Sequence, residues 1–107
     1  SSPYLLTSVW VHRTVSHTTA EKTFRVLPNA VKTIGRAAGA DFILDAGLVS
    51  RVHCRVTVSA EGDLDVKDLD STNGTFVNGS RVSIARLISG DRIQVGRVEL
   101  IALKDED

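Results

Sequence analysis

Apolar and polar residues alternate along most of this chain with a period of two, which is the pattern of β-strands. In residues 53–58, Cys54, Val56 and Val58 would share one face and the polar residues between them the other. Comparable short runs predict further strands at residues 4–12, 23–27, 31–34, 42–44, 64–67, 75–77, 93–95 and 98–103. No long window has the period of a helix, although residues 82–88 could hold one helical turn.

Turn residues separate these runs. Asn-Gly, the strongest short-range turn signal, occurs at residues 73–74 and again at 78–79. The polar residues 13–22 indicate a loop. At roughly 8 to 12 residues per strand and turn, a chain of this length holds about nine to thirteen short strands. The pattern therefore predicts an all-β sandwich.

The chain has 107 residues, which predicts one domain, with a core at about residues 4–103 and flanking tails at 1–3 and 104–107. Such boundaries suggest a domain from a longer protein. Only 5% of the residues are aromatic, so aliphatic side chains must fill the core.

Thirteen basic and thirteen acidic residues cancel to a formal charge of zero. This balance argues against direct nucleic-acid binding and against a membrane surface, because both need clustered Lys and Arg. No apolar run is long enough to span a bilayer, and no signal peptide is visible. Cys54 is the single cysteine, which excludes an intramolecular disulfide, indicates a reducing compartment and offers no zinc spacing. We expect no metal and no cofactor.

Three segments place small or hydrogen-bonding residues where strands are predicted to end. They are Gly35-Arg36, the Ser-Arg-Val-His run at residues 50–53, and the Asn-Gly-rich run at residues 71–79. Loops that gather arginines, hydroxyls and an amide at one end of a β-domain make a receptor for an anionic, hydrogen-bonding group. A phosphorylated side chain is such a group.

In this order the segments IGR, SRVHC and DLDSTNGTFVNG, with the more loosely matched SGDRIQVG, resemble the forkhead-associated (FHA) domain. The resemblance covers about residues 4–103. It implies a β-sandwich of two twisted, mainly antiparallel sheets with ligand-binding loops at one end. It also implies a phosphothreonine-dependent interaction module that binds short phosphorylated peptides in signalling.

The resemblance assigns phosphate contacts to Arg36 and Ser50, with further contacts from Arg51 and Thr72. A guanidinium suits this role because its fork of donors matches phosphate oxygens. Asn73 would bind the peptide backbone, since a side-chain amide donates and accepts at once.

Other residues of these segments would support the site. The resemblance makes His53 a structural residue that holds the loop carrying Ser50, and the turn-forming or close-packing residues are Gly35, Gly74, Asn78 and Gly79. Leu48 occupies a position where some relatives have an arginine that binds an acidic side chain three residues after the phosphothreonine. Since leucine would not attract an acid, we expect a neutral or apolar preference there.

The residues also allow two other classes of function. Ser50 and His53 suggest a hydrolase, but no GxSxG elbow is present, so we expect no enzyme. The alternative to phosphopeptide binding is a degenerate module that contacts a partner, or dimerises, without phosphate. Its surface would include Trp10, Val11 and the acidic residues 61–70.

The expected partner is a phosphothreonine-containing protein or peptide. The free domain is expected to be a monomer, and phosphorylation-dependent self-association is the alternative. The resemblance implies an intracellular protein, nuclear or cytoplasmic, with the nucleus slightly favoured. The resemblance also allows a role in the DNA-damage response or the cell cycle.

Overall fold

A computed structural model describes residues 2–10 and 22–105, with only the backbone for residues 9 and 10. These residues form eleven β-strands and no helix, so the described part contains no helix that could cross a membrane. The strands are β1 (Tyr4–Trp10), β2 (Thr23–Val26), β3 (Val31–Gly35), β4 (Phe42–Ile43), β5 (Cys54–Val58), β6 (Leu64–Asp68), β7 (Thr75–Val77), β8 (Ser80–Val82), β9 (Ile84–Leu87), β10 (Arg92–Val95) and β11 (Val98–Lys104).

The strands form two sheets that pack face to face. One has the order β2-β1-β11-β10-β7-β8 and the other β4-β3-β5-β6-β9. All neighbours are antiparallel except β3 and β4, which are parallel. The prediction of an all-β sandwich with mainly antiparallel sheets is confirmed.

Aliphatic side chains fill the space between the sheets, as the composition predicts. The alternating residues Cys54, Val56 and Val58 of β5 are fully buried, and they face residues such as Leu6 and Leu100 of the other sheet. At one side of the sandwich, Phe24 of β2 stacks on Phe42 of β4 with ring centroids 4.5 Å apart. This contact joins the edges of the two sheets.

The prediction of a helical turn at residues 82–88 is wrong. Val82 ends β8, and Ile84–Leu87 forms β9 in the other sheet. The chain changes sheets at Ser83, whose carbonyl accepts a hydrogen bond from the Asp68 amide at 2.8 Å. Pairing with β6 provides hydrogen-bond partners for the backbone N–H and C=O groups of β9. One isolated helical turn would leave most of these groups without partners.

The first and last strands of the chain differ slightly from expectation. β11 runs through Lys104, which pairs with Tyr4 at the start of β1. The first strand was expected to reach residue 12, but residues 11–12 and most of the predicted loop at 13–22 lie outside the described residues.

Antiparallel pairing brings several strand ends to one end of the sandwich. Ile34, next to the last residue of β3, is opposite Cys54 at the start of β5, which is in turn opposite Asp68 at the end of β6. In the other sheet Val95, at the end of β10, is opposite Thr75 at the start of β7. The loops at residues 36–41, 44–53 and 69–74 and the β10–β11 turn therefore gather at this end.

The thiol of Cys54 gives a test of this packing. Its side chain is fully buried, and burial, together with the nearby Asp68 charge, raises the pKa of the thiol to about 12. We expect a thiol reagent at mildly alkaline pH to modify native protein only as fast as the domain unfolds, because the thiolate is the reactive form. Rapid modification of the folded protein would contradict the arrangement of β5.

Candidate functional site

Gly35 allows two loops to pack backbone to backbone. A Cβ atom at this position would overlap the carbonyl oxygen of Arg51 and would lie 2.8 Å from its carbonyl carbon. Two hydrogen bonds stabilise this close approach. The Arg36 amide donates to the Ser50 carbonyl at 3.0 Å, and the Ala37 amide donates to the Arg51 carbonyl at 3.1 Å. Glycine at position 35 thus lets the backbone of Arg36 lie beside that of Ser50.

The Arg36 guanidinium is oriented by one of its own donors. Nε donates to the carbonyl oxygen of Val49 at 3.2 Å, which links the side chain to the loop that carries Ser50. Within the described ranges, Nη1 and Nη2 have no partner, and the side chain is exposed. The two terminal nitrogens are therefore available as a fork of donors.

The Ser50 hydroxyl is oriented by the neighbouring loop. Its Oγ accepts a hydrogen bond from the Thr72 amide at 3.0 Å. Since the oxygen is held as an acceptor from one side, its hydrogen is left to donate elsewhere. The Thr72 side chain is exposed, and its hydroxyl has no partner in the described part of the chain.

His53 is fully buried and connects two loops through both ring nitrogens. Nδ1 accepts from the Ser50 amide at 3.0 Å, and Nε2 lies 2.8 Å from the Gly74 carbonyl oxygen. An Nδ1 that accepts leaves the proton on Nε2, which donates to Gly74. The ring is therefore neutral.

This geometry separates His53 from the Ser50 hydroxyl. Both ring nitrogens are taken by backbone groups, and Ser50 Oγ is bonded to the Thr72 amide instead. A nucleophilic serine would need its hydroxyl within hydrogen-bond reach of a basic nitrogen. His53 therefore holds the loops of Ser50 and Gly74 together through their backbones.

Asp68, which the sequence analysis did not single out, organises the loop at residues 69–74. Its carboxylate accepts from the Ser71 hydroxyl at 2.5 Å, the Ser71 amide at 3.2 Å and the Thr75 hydroxyl at 2.7 Å. Ser71 Oγ in turn accepts from the Gly74 amide at 2.9 Å. Burial alone raises the pKa of Asp68, but the hydrogen bonds from Ser71 and Thr75 outweigh it and lower the pKa below its ordinary value.

Asn73 stands at the junction of two loops. Its Nδ2 donates to the Leu48 carbonyl at 3.2 Å, which leaves one N–H and the Oδ1 acceptor for another partner. Leu48 has a positive φ of 68°, and the residue is 54% exposed. Gly74, which follows Asn73, has a φ of 90°, and a Cβ on it would lie 2.7 Å from Nε of the Arg81 side chain.

The remaining predicted residues differ in their placement. Arg51 is exposed, and its guanidinium has no partner in the described ranges. Asn78 and Gly79 form the two-residue β7–β8 turn with φ values of 49° and 86°, and Asn78 bonds to Asp91 at 3.0 Å. This turn lies at the opposite end of β7 from Gly74, so Asn78 and Gly79 support the hairpin and do not contact the site loops.

The β10–β11 turn also belongs to this end of the molecule. The Arg97 amide donates to the Gly47 carbonyl at 3.1 Å. A Cβ on Gly96 would lie 2.7 Å from both the Gly47 oxygen and the Leu48 carbonyl carbon. The only sequence signal for this contact was the loosely matched SGDRIQVG segment, which ends at Gly96.

The surface expected for phosphate-independent contacts is only partly described. Val11 and the side chain of Trp10 lie outside the described residues. In the acidic stretch, the carboxylates of Asp63 and Asp65 lie 3.6 and 2.9 Å from the Arg86 guanidinium. Within the described ranges, no three His, Cys, Asp or Glu side chains come together in a group that could hold a metal.

A family model described as FHA domain matches residues 32–96, which is more than half of the chain. The chain belongs to the FHA-domain family. It is 40% identical over 75 residues to the ABC transporter ATP-binding/permease protein Rv1747 of Mycobacterium tuberculosis, which covers 70% of this chain and 9% of that protein. It is 36% identical over 78 residues to the glycogen accumulation regulator GarA of the same species, which covers 73% of this chain and 48% of GarA.

A solved structure is also similar over its whole length. It comes from work on phosphothreonine-dependent FHA domain interactions, and it matches with a TM-score of 0.78 and 29% identity, covering 100% of both chains. The chain thus matches an FHA domain in full, whereas it spans only part of the two curated relatives.

Gly35→Ala tests the close contact at the end of β3. The new methyl group would meet backbone atoms, which cannot rotate away, so we expect a loss of about 1–3 kcal/mol in the free energy of unfolding. Denaturant unfolding measures it. Gly39→Ala is the matched control, because a Cβ there meets nothing within 4 Å. Equal stability of the two variants would contradict the geometry at Gly35.

Asp68→Asn tests the hydrogen bonds that hold the loop at residues 69–74. Because the pKa of Asp68 is lower in the folded state, its stabilisation is complete above the unfolded carboxyl pKa of about 4 and is lost as the pH falls through the folded value. We expect the variant to be about 1–3 kcal/mol less stable at neutral pH, as for hydrogen bonds to a charged group.

Denaturant titrations between neutral and acidic pH measure this difference, which should shrink as the pH falls below about 4. Asp70→Asn serves as the control, since the exposed Asp70 carboxylate has no partner in the described residues. A difference between Asp68→Asn and the unaltered protein that is independent of pH would argue against this role.

Proposed function

We propose that this chain is a phosphothreonine-dependent interaction module that binds short phosphorylated segments of a partner protein. The observation that carries the proposal is the convergence of hydrogen-bond donors from three loops at one end of an FHA domain. Arg36 contributes two free guanidinium nitrogens, and Ser50 contributes a hydroxyl whose oxygen accepts from the Thr72 amide and whose hydrogen is free to donate.

Each predicted contact has a physical reason in this arrangement. The Arg36 fork and the Ser50 hydroxyl would bind the phosphate oxygens, with Arg51 and the Thr72 hydroxyl adding donors at the exposed rim. Asn73 would use its remaining N–H and Oδ1 on a peptide group beside the phosphothreonine.

The expected free energy of peptide binding is that of a transient signalling contact. A phosphate carries about −1.5 to −2 charges near neutral pH, and each hydrogen bond to a charged group contributes roughly 1.5 to 3 kcal/mol. Three or four such bonds, less the cost of ordering a flexible peptide, leave about 7 to 9 kcal/mol, near micromolar affinity. An unphosphorylated peptide loses most of this.

The relatives support a binding role. One similar FHA structure is described in terms of phosphothreonine-dependent interactions, and another relative is described as a regulator of glycogen accumulation. We propose that this chain likewise acts by binding and has no catalysis of its own. Its partner would be a phosphothreonine-containing protein, with no direct contact to nucleic acid or membrane and with a monomeric free domain.

We also propose that residues 1–107 form one FHA domain that works inside the cell. Pairing of β1 with β11 ties together the two ends of the described chain, which supports a single unit. The two curated relatives named above come from a bacterium. A bacterial signalling role is therefore preferred to the nuclear, DNA-damage or cell-cycle roles.

The experiment is a calorimetric titration with one peptide in its phosphothreonine, phosphoserine and unmodified forms. We expect near-micromolar binding of the first, weaker binding of the second, and little binding of the third, because the phosphate supplies most of the free energy. Arg36→Ala should abolish binding while changing the free energy of unfolding by no more than about 1 kcal/mol.

Arg25→Ala is the control for a general loss of positive charge. Arg25 lies on β2 at the opposite end of the sandwich and is 62% exposed, so it should leave the affinity unchanged. Equal binding of all three peptides would overturn the proposal in favour of a phosphate-independent module. Unfolding of Arg36→Ala would make Arg36 a structural residue.

A further inference from the structure

Arg97 is a cation that the fold brings to the site from a distant part of the sequence. It follows Gly96 in the β10–β11 turn, and its amide donates to the Gly47 carbonyl at 3.1 Å. Gly96 has a φ of 59°, and a Cβ there would come within 2.7 Å of the Gly47 oxygen and the Leu48 carbonyl carbon. Direct backbone contact therefore fixes the position of the turn against residues 47–48.

The Arg97 side chain lies along Gly47. Its Cδ and Nε are 3.2 Å from the point where a Gly47 Cβ would be, so the absence of a side chain on Gly47 gives the arginine its path. Arg97 is exposed, and its guanidinium has no partner among the described residues.

The acidic groups nearest in the chain do not neutralise it. Glu99 is bonded to Arg92 at 2.8 Å. Asp45 is exposed and does not form an ion pair with Arg97. Arg97 thus keeps its positive charge free on the surface of the loop that leads to Ser50.

This loop also contacts the residue that would bind the peptide. The Leu48 carbonyl accepts from Asn73 Nδ2 at 3.2 Å, and the preceding Gly47 carbonyl accepts from the Arg97 amide, so adjacent residues of one loop contact both side-chain-bearing turns. A peptide whose backbone were bound by Asn73 would therefore place a neighbouring side chain within reach of Leu48 and Arg97.

We propose that Arg97 is a specificity-determining residue, which favours phosphothreonine segments with an Asp or Glu close to the phosphothreonine. The proposal rests on the proposed function. It revises the expectation of a neutral or apolar preference based on Leu48 alone, since the charge comes from the next loop. Leu48 would contact the apolar stem of that acidic side chain, while the guanidinium binds its carboxylate.

The expected effect is moderate, because the pair is exposed to solvent. We expect one well-placed acid to improve affinity about three- to tenfold at low salt, the upper end requiring a bidentate arrangement. The gain should shrink as ionic strength rises, because exposed charges are screened.

The test uses an alanine-based phosphothreonine peptide in which one glutamate is moved through each flanking position. Affinities are measured for the unaltered chain, for Arg97→Gln, and for Arg25→Gln as a control with the same change in charge far from the site. We expect one or two positions to show the gain in the unaltered chain and in Arg25→Gln. Arg97→Gln should lose it and retain the affinity for the peptide without glutamate.

Charge reversal provides an independent readout. Arg97→Glu should prefer a lysine at the position where the unaltered chain prefers glutamate, which a merely structural arginine would not cause. The backbone contact with Gly47 survives both substitutions, and thermal unfolding checks this.

The outcomes separate this inference from the proposed function. A glutamate gain that persists in Arg97→Gln, or no gain at any position while phosphothreonine binding is intact, overturns the role of Arg97 alone. Absence of phosphate-dependent binding in the unaltered chain overturns the proposed function together with it.

Discussion

The buried ring of His53 is the constraint on which the candidate site depends. It accepts from the Ser50 amide and donates to the Gly74 carbonyl, so one neutral side chain fixes the spacing of two loops that come from different strand pairs. A buried backbone group left without a partner is costly. The ring therefore satisfies two such groups and makes the separation of the loops costly at the same time.

Around this ring, polar groups facing inward are satisfied within the protein, and those facing outward are left free. Arg36 uses Nε on Val49, Ser50 uses its oxygen on the Thr72 amide, and Asn73 uses one N–H on Leu48. Each side chain is thereby oriented before any ligand arrives, which reduces the entropy lost on binding. A chain with zero net charge can therefore present a local cluster of free hydrogen-bond donors.

The predicted strands match the structure where the signal is local. Alternation in β5 predicts its buried face, and Gly35 marks a backbone contact that no other residue allows. The helical turn predicted at residues 82–88 is absent because pairing with β6 decides the conformation of β9. The sequence identifies Asn78 and Gly79 as turn residues, but only the direction of β7 shows that their turn lies away from the site.

The sequence alone determined the family, the sandwich and the identity of the donors, since these depend on residue types at short spacing. Only the tertiary structure decided which groups remain free, because that depends on contacts between loops distant in sequence. Asp68 holds the loop of Asn73 through Ser71 and Thr75. Arg97 reaches Gly47 across fifty positions of chain, and no local pattern encodes that contact.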